Sequence, residues 1–217
     1  MEQRCLTFAL PKGRLALLTL ELLEKVGVFC EEIKDGDSRK LIFANEEKGI
    51  RFFLAKATDV PTYVEYGAAD LGVVGKDILM EEERRVHEVL DLGFGSCRIC
   101  VCGPPSAGEI LKHRGFICVA TKYPRIARDY FHSRKHQTVD IIKLNGSVEL
   151  GPLVELADVI VDVVETGTTL AENGLVVLED ICHVSARLIV NHVSMQMDSE
   201  RIRRMMGEIR EQVTPCK

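Results

Sequence analysis

The sequence predicts an α/β protein of two lobes, with the ligand site in the cleft between them. Short apolar strand candidates alternate with amphipathic helix candidates from the N-terminus, and this alternation restarts after residue 95. A run of β-branched residues at 159–164 then breaks into a turn rich in Thr and Gly. Because 46% of the 217 residues are hydrophobic, the chain can bury a core in each lobe.

The first lobe opens with a predicted strand over residues 6–10 and a Pro-Lys-Gly-Arg turn at 11–14. In the helix that follows, apolar residues recur at i, i+3, i+7 and i+11, namely Leu15, Leu18, Leu22 and Val26. Lys12 and Arg14 therefore stand at the carboxyl end of a strand, where open α/β sheets bind ligands. The ordinary alternative is a pair of solvated basic residues in a polar turn.

The remaining elements complete the two lobes. A hairpin is predicted over 41–43 and 50–55, a helix over 58–67 and a strand over 69–75. After a flexible joint at 89–95, the second lobe receives strands at 97–102, 116–120 and 139–144 and a helix at 121–134. Strands near 176–178 and 184–191 and a last helix return to the first lobe. The predicted lobes are thus residues 1–94 with 176–217, and residues 95–175.

Residues 162–169 are the most informative stretch of the chain. Gly167 permits a tight turn, so that N–H groups at the start of the next helix converge on one anion. Thr166, Thr168 and Thr169 add hydroxyl donors for a phosphate, and Asp162 and Glu165 suit the two hydroxyls of a ribose. The alternative is a helix start at which a Thr hydroxyl caps free N–H groups. The acidic residues favour a ribose 5-phosphate site.

Charge and hydropathy exclude other classes of protein. A formal net charge of −5 argues against a nucleic-acid binder, and the basic outer face of the 121–134 helix is expected to be solvated. No run of about 20 apolar residues and no signal-peptide core occur, so we expect a cytoplasmic protein with no membrane partner. Cys97 and Cys100 have the spacing of a metal or redox pair, but without a second pair they are predicted to be buried thiols.

Several motifs resemble the ATP phosphoribosyltransferase family. Asp-Val-Val-Glu-Thr-Gly-Thr-Thr-Leu at 162–170, preceded by Asn-Gly-Ser-Val-Glu-Leu at 145–150, is similar to the family's loop for phosphoribosyl pyrophosphate (PRPP). Blocks at 9–15, 37–41 and 59–77 resemble the same family in the same order. Two positions depart from its pattern, because Glu155 stands where Gly is usual and Lys56 where Arg is frequent.

The resemblance implies a fold, a reaction and partners. The fold is the two-lobed type II periplasmic-binding-protein fold. In the reaction, N1 of the adenine of ATP attacks C1 of PRPP and releases pyrophosphate, with Mg²⁺ as cofactor, in the first step of histidine biosynthesis. Because the chain stops at Lys217, it resembles the short form, which lacks a C-terminal regulatory domain and depends on a regulatory subunit resembling histidyl-tRNA synthetase. A homodimer is also expected.

The resemblance also implies roles for individual residues. Lys12, Arg14 and Arg39 are the expected catalytic cations, and they face ATP and pyrophosphate together with Lys56. The expected PRPP ligands are Glu149, Asp162, Glu165, Thr166, Gly167, Thr168 and Thr169. Glu149 is also the expected metal-side residue, with the metal held mostly by substrate. Two rivals stay open: a phosphoribosyltransferase of the purine-salvage type, whose loop usually has two adjacent acids, and a two-lobed protein that binds a small anion without catalysis.

Overall fold

The computed structural model describes residues 4–34, 40–113 and 115–213, which divide into two compact units. The first unit contains the described residues up to Gly95 and from Ser185 onward, and the second is Ser96–Val184. Both are mixtures of helices and strands, which confirms the predicted α/β class. The chain passes between the units twice, near 95 and 185, whereas the sequence predicted the second passage near 175.

The strands and helices of the described ranges follow one another along the whole chain. The strands are β1 Leu6–Pro11, β2 Ile42–Asn45, β3 Ile50–Ala55, β4 Leu71–Gly75, β5 His87–Asp91, β6 Cys97–Gly103, β7 Phe116–Thr121, β8 Thr138–Lys143, β9 Val159–Val164, β10 Val176–Val184 and β11 Ala186–Val190. The helices are α1 Arg14–Lys25, α2 Glu31–Lys34, α3 Val60–Glu65, α4 Lys76–Glu82, α5 Ala107–His113, α6 Pro124–Arg128, α7 Leu150–Leu153, α8 Thr168–Glu172, α9 His192–Met197 and α10 Ser199–Gln212. A 3₁₀ turn, Ala57–Asp59, precedes α3, and a π-helical turn, Asp129–Arg134, continues α6.

The first unit contains a six-stranded sheet in the order β2-β3-β1-β4-β11-β5. Strand β1 is parallel to β3 and β4, and β2 forms the predicted hairpin with β3. Apolar side chains of β1 and α1 pack in one buried cluster with Ile202 and Ile209 of α10. Strands β1 and β3 are thereby held in place, and they end side by side with Pro11 opposite Ala55.

The second unit contains a five-stranded sheet in the order β10-β6-β9-β7-β8. Strands β7, β8 and β9 are parallel, so their carboxyl ends share one edge of this sheet. On one face, Val148, Leu170 and Leu175 pack with Val164 and with side chains of β6, including Cys100. Because this cluster lies beneath the loops that follow β8 and β9, it holds both loops against the sheet.

Two predicted elements differ from the structure. Strand β10 pairs with β6, and residues 176–184 therefore belong to the second unit instead of the first. The predicted joint at 89–95 overlaps strand β5, which pairs with β11 at the edge of the first sheet. Neither pairing is visible in the local sequence, because both depend on a partner strand far away in the chain. None of the helices in the described ranges is long and apolar enough to span a membrane.

Helix α7 ends in a Schellman motif with an unusual residue at its left-handed position. The N–H of Leu156 donates to the carbonyl of Gly151 (2.9 Å), and the N–H of Glu155 donates to that of Pro152 (3.3 Å). Glu155 has a φ of +58°, in the left-handed region that glycine favours. The glycine that the resemblance led us to expect at this position would suit this φ better than glutamate does.

Candidate functional site

The predicted phosphate loop begins where β9 ends. Glu165 and Thr166 are exposed, and Gly167 has a φ of +79° and a ψ of 4°, which is the left-handed conformation. A Cβ added at Gly167 would meet only Val164 Cγ1, at 3.8 Å. Space is therefore available at this position, and it is the backbone conformation that requires glycine.

Two threonines of the loop converge on one point. The hydroxyl oxygens of Thr166 and Thr168 lie 2.9 Å apart, and the N–H of Thr168 is directed at the Thr166 hydroxyl over 3.4 Å. Thr169 is exposed beside them. Helix α8 has only five residues, so its dipole is small, and an anion here must be held by local hydroxyl and N–H groups. The loop thus has the predicted turn, but the helix after it is too short for its dipole to contribute much to anion binding.

The acidic residues of β9 lie at different depths. Glu165 follows the strand and is exposed, whereas Asp162 is half-buried within the strand, opposite Cys100 of β6. Its Oδ1 accepts a hydrogen bond from the N–H of Val163 (2.8 Å). Because side chains alternate along a strand, the Asp162 side chain lies on the same face of the sheet as Val164. The buried side chain of Cys100, which stands opposite Asp162, lies on this face too. The prediction placed Asp162 at the end of the strand, and the structure places it two residues earlier.

Glu149 lies at the same edge of the second sheet as the phosphate loop. It is half-buried and directly precedes α7, in the connection that follows β8. Its neighbour Val148 packs in the same apolar cluster as Leu170 of α8. The structure therefore brings the Glu149 segment and the Glu165–Thr169 loop together on one packed layer of the second unit.

Three predicted cations lie together at the carboxyl edge of the first sheet. Lys12 and Lys56 each directly follow the paired residues Pro11 and Ala55, and the Lys12 N–H donates to the Ala55 carbonyl (2.9 Å). Arg14 begins α1, and all three side chains are exposed. Gly13 precedes the helix with a φ of +93° and a ψ of −151°, a region that is essentially restricted to glycine. The sequence drew attention to the charges on either side of Gly13, and the structure adds the reason for glycine itself.

One predicted residue and the metal ligands need separate comment. Arg39 lies outside the described residues. Within the ranges that the structure describes, no three His, Cys, Asp or Glu side chains cluster closely enough to hold a metal ion. Mg²⁺ commonly takes most of its ligands from water and substrate phosphates, so its binding does not require such a cluster.

Two of the three cysteines of β6 are buried and unsuited to chemistry at neutral pH, whereas Cys97, which was also predicted to be buried, is half-buried. Cys100 and Cys102 are fully buried, and all seven cysteines of the described ranges are free thiols. Burial, reinforced by the hydrogen bond to Asp180, raises the pKa of Cys100 to about 12, and burial does the same for Cys102. Thiols with such pKa values stay protonated and make poor nucleophiles or metal ligands, as expected of core residues.

Comparison with known proteins identifies the family. Residues 56–211 match the family model described as HisG, ATP phosphoribosyltransferase. The chain is 64% identical over 212 residues to the ATP phosphoribosyltransferase of Lachnoclostridium phytofermentans, covering 98% of this chain and 99% of that protein. It is 61% identical over 210 residues to the enzyme of Lachnospira eligens, covering 97% of each.

A solved structure is similar over almost the same length. It is the ATP phosphoribosyl transferase (HisG:HisZ) complex from Thermotoga maritima, with a TM-score of 0.81 at 33% sequence identity. The match covers 95% of this chain and 97% of the solved chain. Sequence and structure therefore agree over both units, and the chain belongs to the ATP phosphoribosyltransferase family.

Proposed function

We propose that the Glu165–Thr169 loop binds the 5-phosphate of PRPP, and that Lys12, Arg14 and Lys56 bind the ATP triphosphate and the leaving pyrophosphate. As an ATP phosphoribosyltransferase, the chain transfers the phosphoribosyl group of PRPP to N1 of the adenine of ATP, the first step of histidine biosynthesis. The observation that carries the residue assignment is the left-handed Gly167 between two threonines, at the carboxyl end of a parallel strand.

The loop offers several donors to one phosphate oxygen. The Thr166 hydroxyl lies within hydrogen-bonding range of both the hydroxyl and the N–H of Thr168. Rotation of Thr166 about χ1 would leave those two donors directed at a phosphate oxygen, with the Thr166 and Thr169 hydroxyls beside them. Such a set of backbone and hydroxyl donors suits a monoester phosphate, because each oxygen accepts more than one hydrogen bond.

The carboxylates of the second unit suit the sugar. Glu165 directly precedes the phosphate-binding residues, and Asp162 and Glu149 belong to the same layer of this unit. Carboxylates accept hydrogen bonds from the 2- and 3-hydroxyls of a ribose. They also stabilise the positive charge that develops on the ring as the bond between C1 and pyrophosphate breaks. We assign Glu165 and Asp162 to the hydroxyls and Glu149 to the sugar or metal side.

The cations of the first unit suit the polyanionic groups. Lys12, Arg14 and Lys56 concentrate positive charge in a protein whose net charge is −5. Negative charge accumulates on pyrophosphate as it leaves, so cations that contact it stabilise the transition state more than the ground state. Arg39 takes the same role by its resemblance to the family motif. In this mechanism the protein binds and orients the substrates, and adenine N1 is the nucleophile.

Magnesium and protein partners complete the proposal. Mg²⁺ would neutralise the phosphate oxygens of the substrates, with Glu149 as the protein residue beside it, since the described residues offer no closed set of ligands. A regulatory subunit resembling histidyl-tRNA synthetase is proposed because the similar solved structure is a HisG:HisZ complex. We also propose a homodimer, and the cytoplasm as the site of action, where ATP and reduced thiols are available.

The reaction is tested by mixing the purified chain with PRPP, ATP and Mg²⁺, with and without the regulatory subunit, and detecting phosphoribosyl-ATP by mass. The adduct is expected, and dependence on the second protein would support the proposed partnership. A matched mixture that contains the free base adenine in place of ATP separates this activity from purine salvage, because a salvage enzyme would convert adenine to AMP. Conversion of adenine but not of ATP would contradict the proposal.

A further inference from the structure

A pocket lies at the amino-terminal edge of the first sheet. It has a volume of about 330 Å³ and is lined by the segment after α1, the start of β3 and the middle of α10. All of these elements belong to the first unit. Lys12 and Lys56 follow the opposite ends of β1 and β3, about 20 Å away along strands of six residues. The pocket is therefore separate from the site proposed above.

Arg201 of α10 is fixed at this edge by main-chain acceptors. Its Nη1 donates to the carbonyl of Arg4 (2.7 Å), and its Nη2 donates to those of Lys48 and Gly49 (both 2.8 Å). A Cβ at Gly49 would lie 3.0 Å from Nη2, so glycine lets the guanidinium approach the turn closely. Carbonyl oxygens accept hydrogen bonds without neutralising the charge, and the carboxylate of Asp198 is 4.0 Å away. The guanidinium is thus held in place while its charge is only weakly compensated.

Two further cations line the pocket. Lys48 and Arg204 are exposed, and neither side chain forms an ion pair within the ranges that the structure describes. The Lys48 Nζ atom lies 3.7 Å from the position of a Cβ at Gly27, directly after α1. The lining residues comprise three cations and one acid, Glu208, which gives a formal charge of +2, or +1 if Asp198 is counted. Positive charge is therefore in excess here, in a chain whose net charge is −5.

The floor of the pocket is apolar. Its apolar lining residues belong to the buried cluster of the first unit or pack against it, namely Val26, Val28, Ile50 and Met205. Pockets with apolar walls and a few converging polar groups are typical of sites for small organic molecules. The combination of this floor with the three cations therefore favours a ligand with an anionic head and an apolar body.

We propose that this pocket binds a small organic phosphate, a monoester whose apolar group contacts the floor and whose phosphate contacts Lys48, Arg201 and Arg204. Such a phosphate carries a charge of about −1.5 to −2 at pH 7 and has three acceptor oxygens, one for each cation. Guanidinium groups match the geometry of phosphate oxygens. Arg201 is already held by the main chain, so it loses little conformational freedom on binding. A carboxylate offers a single charge and two oxygens, which fits these three cations less well.

Binding is tested with phenyl phosphate as the probe and the purified chain isotope-labelled at its methionine methyl groups. Met205 lines the pocket, so its methyl resonance, assigned by its loss in Met205→Leu, reports this site directly. We expect a saturable shift of that resonance, with a Kd of about 1 mM or lower. Inorganic phosphate lacks the apolar group and benzoate lacks the second charge, so each should bind at least about fivefold more weakly.

Four variants separate the charges from the packing. Arg204→Gln and Lys48→Gln should each raise the Kd about tenfold or more, because each loses a charged hydrogen-bond partner of the phosphate. Glu208→Gln should lower the Kd, because it removes the acid from the pocket. A general disturbance of the fold would not produce changes in opposite directions. Arg203→Gln is the matched control, since Arg203 is exposed on the same helix and is not a lining residue, and its Kd should stay within about twofold of the parent value.

The outcomes decide between specific alternatives. No saturable shift of the Met205 resonance, or equal weakening in Arg203→Gln and Arg204→Gln, would overturn the site. Benzoate that binds as tightly as phenyl phosphate would overturn the assignment to a phosphate, and inorganic phosphate that does so would overturn the role of the apolar floor. Gly167→Val should leave this titration unchanged, so the result is independent of the loop assignment.

Discussion

Replacement of Gly167 by Val tests the phosphate loop with little disturbance of the packing. The added Cβ has room, because the nearest atom would lie 3.8 Å away, but Val strongly disfavours the φ of +79°. The left-handed conformation costs an L-residue about 1–2 kcal/mol. If PRPP binds only the loop in this conformation, its KM should rise about 5- to 30-fold, since 1.4 kcal/mol corresponds to tenfold.

Gly174→Val provides a matched control for the same assay. Gly174 has a φ of +68°, has open space around its Cβ position and ends α8 in a Schellman motif, but it lies outside the loop. Both variants should lose about 1–2 kcal/mol of stability or less, measured by denaturant unfolding. Only Gly167→Val should raise KM for PRPP. A KM within twofold of the parent, or an equal rise in both variants, would refute the reasoning.

Three further predictions concern stability and reactivity. Glu155→Gly should stabilise the protein by about 1 kcal/mol, because glycine adopts the left-handed conformation at this helix end without the strain that glutamate has there. A denaturant midpoint below that of the parent protein would contradict this prediction. Asp70→Asn should destabilise it by about 2–3 kcal/mol in the same assay, since the buried carboxylate accepts from Arg4, Ser194 and the Thr7 N–H; an unchanged midpoint would count against that network. Because burial raises the pKa of Cys100 to about 12, about one part in ten thousand of this thiol is ionised at pH 8. Iodoacetamide should therefore label the half-buried Cys5 before Cys100, as detected by peptide mass spectrometry. Rapid labelling of Cys100 in the native protein would contradict its burial.

The sequence predicted what depends on neighbouring residues. The strand at 159–164, the turn at Gly167 and the cations after β1 are local patterns, and the structure contains each of them. The Gly at 167 was identifiable because glycine adopts the left-handed backbone of a tight turn more readily than other residues do. The chemistry of the loop stays a prediction, because threonine hydroxyls that cap the free N–H groups of a helix would give a similar local pattern.

Features that depend on distant pairing were not predictable. Strand β10 carries Glu179, Asp180 and His183 and bends at two irregularities, so its apolar pattern is too weak to reveal β6 as its partner.

The most direct test of the central claim is a crystal structure of the protein with PRPP and Mg²⁺. We predict that oxygens of the 5-phosphate lie about 2.7–3.2 Å from the backbone nitrogen of Thr168 and from the hydroxyls of Thr166 and Thr169. A bound PRPP whose 5-phosphate contacts Lys12 and Lys56 instead, with the Glu165–Thr169 loop free of the ligand, would contradict the assignment.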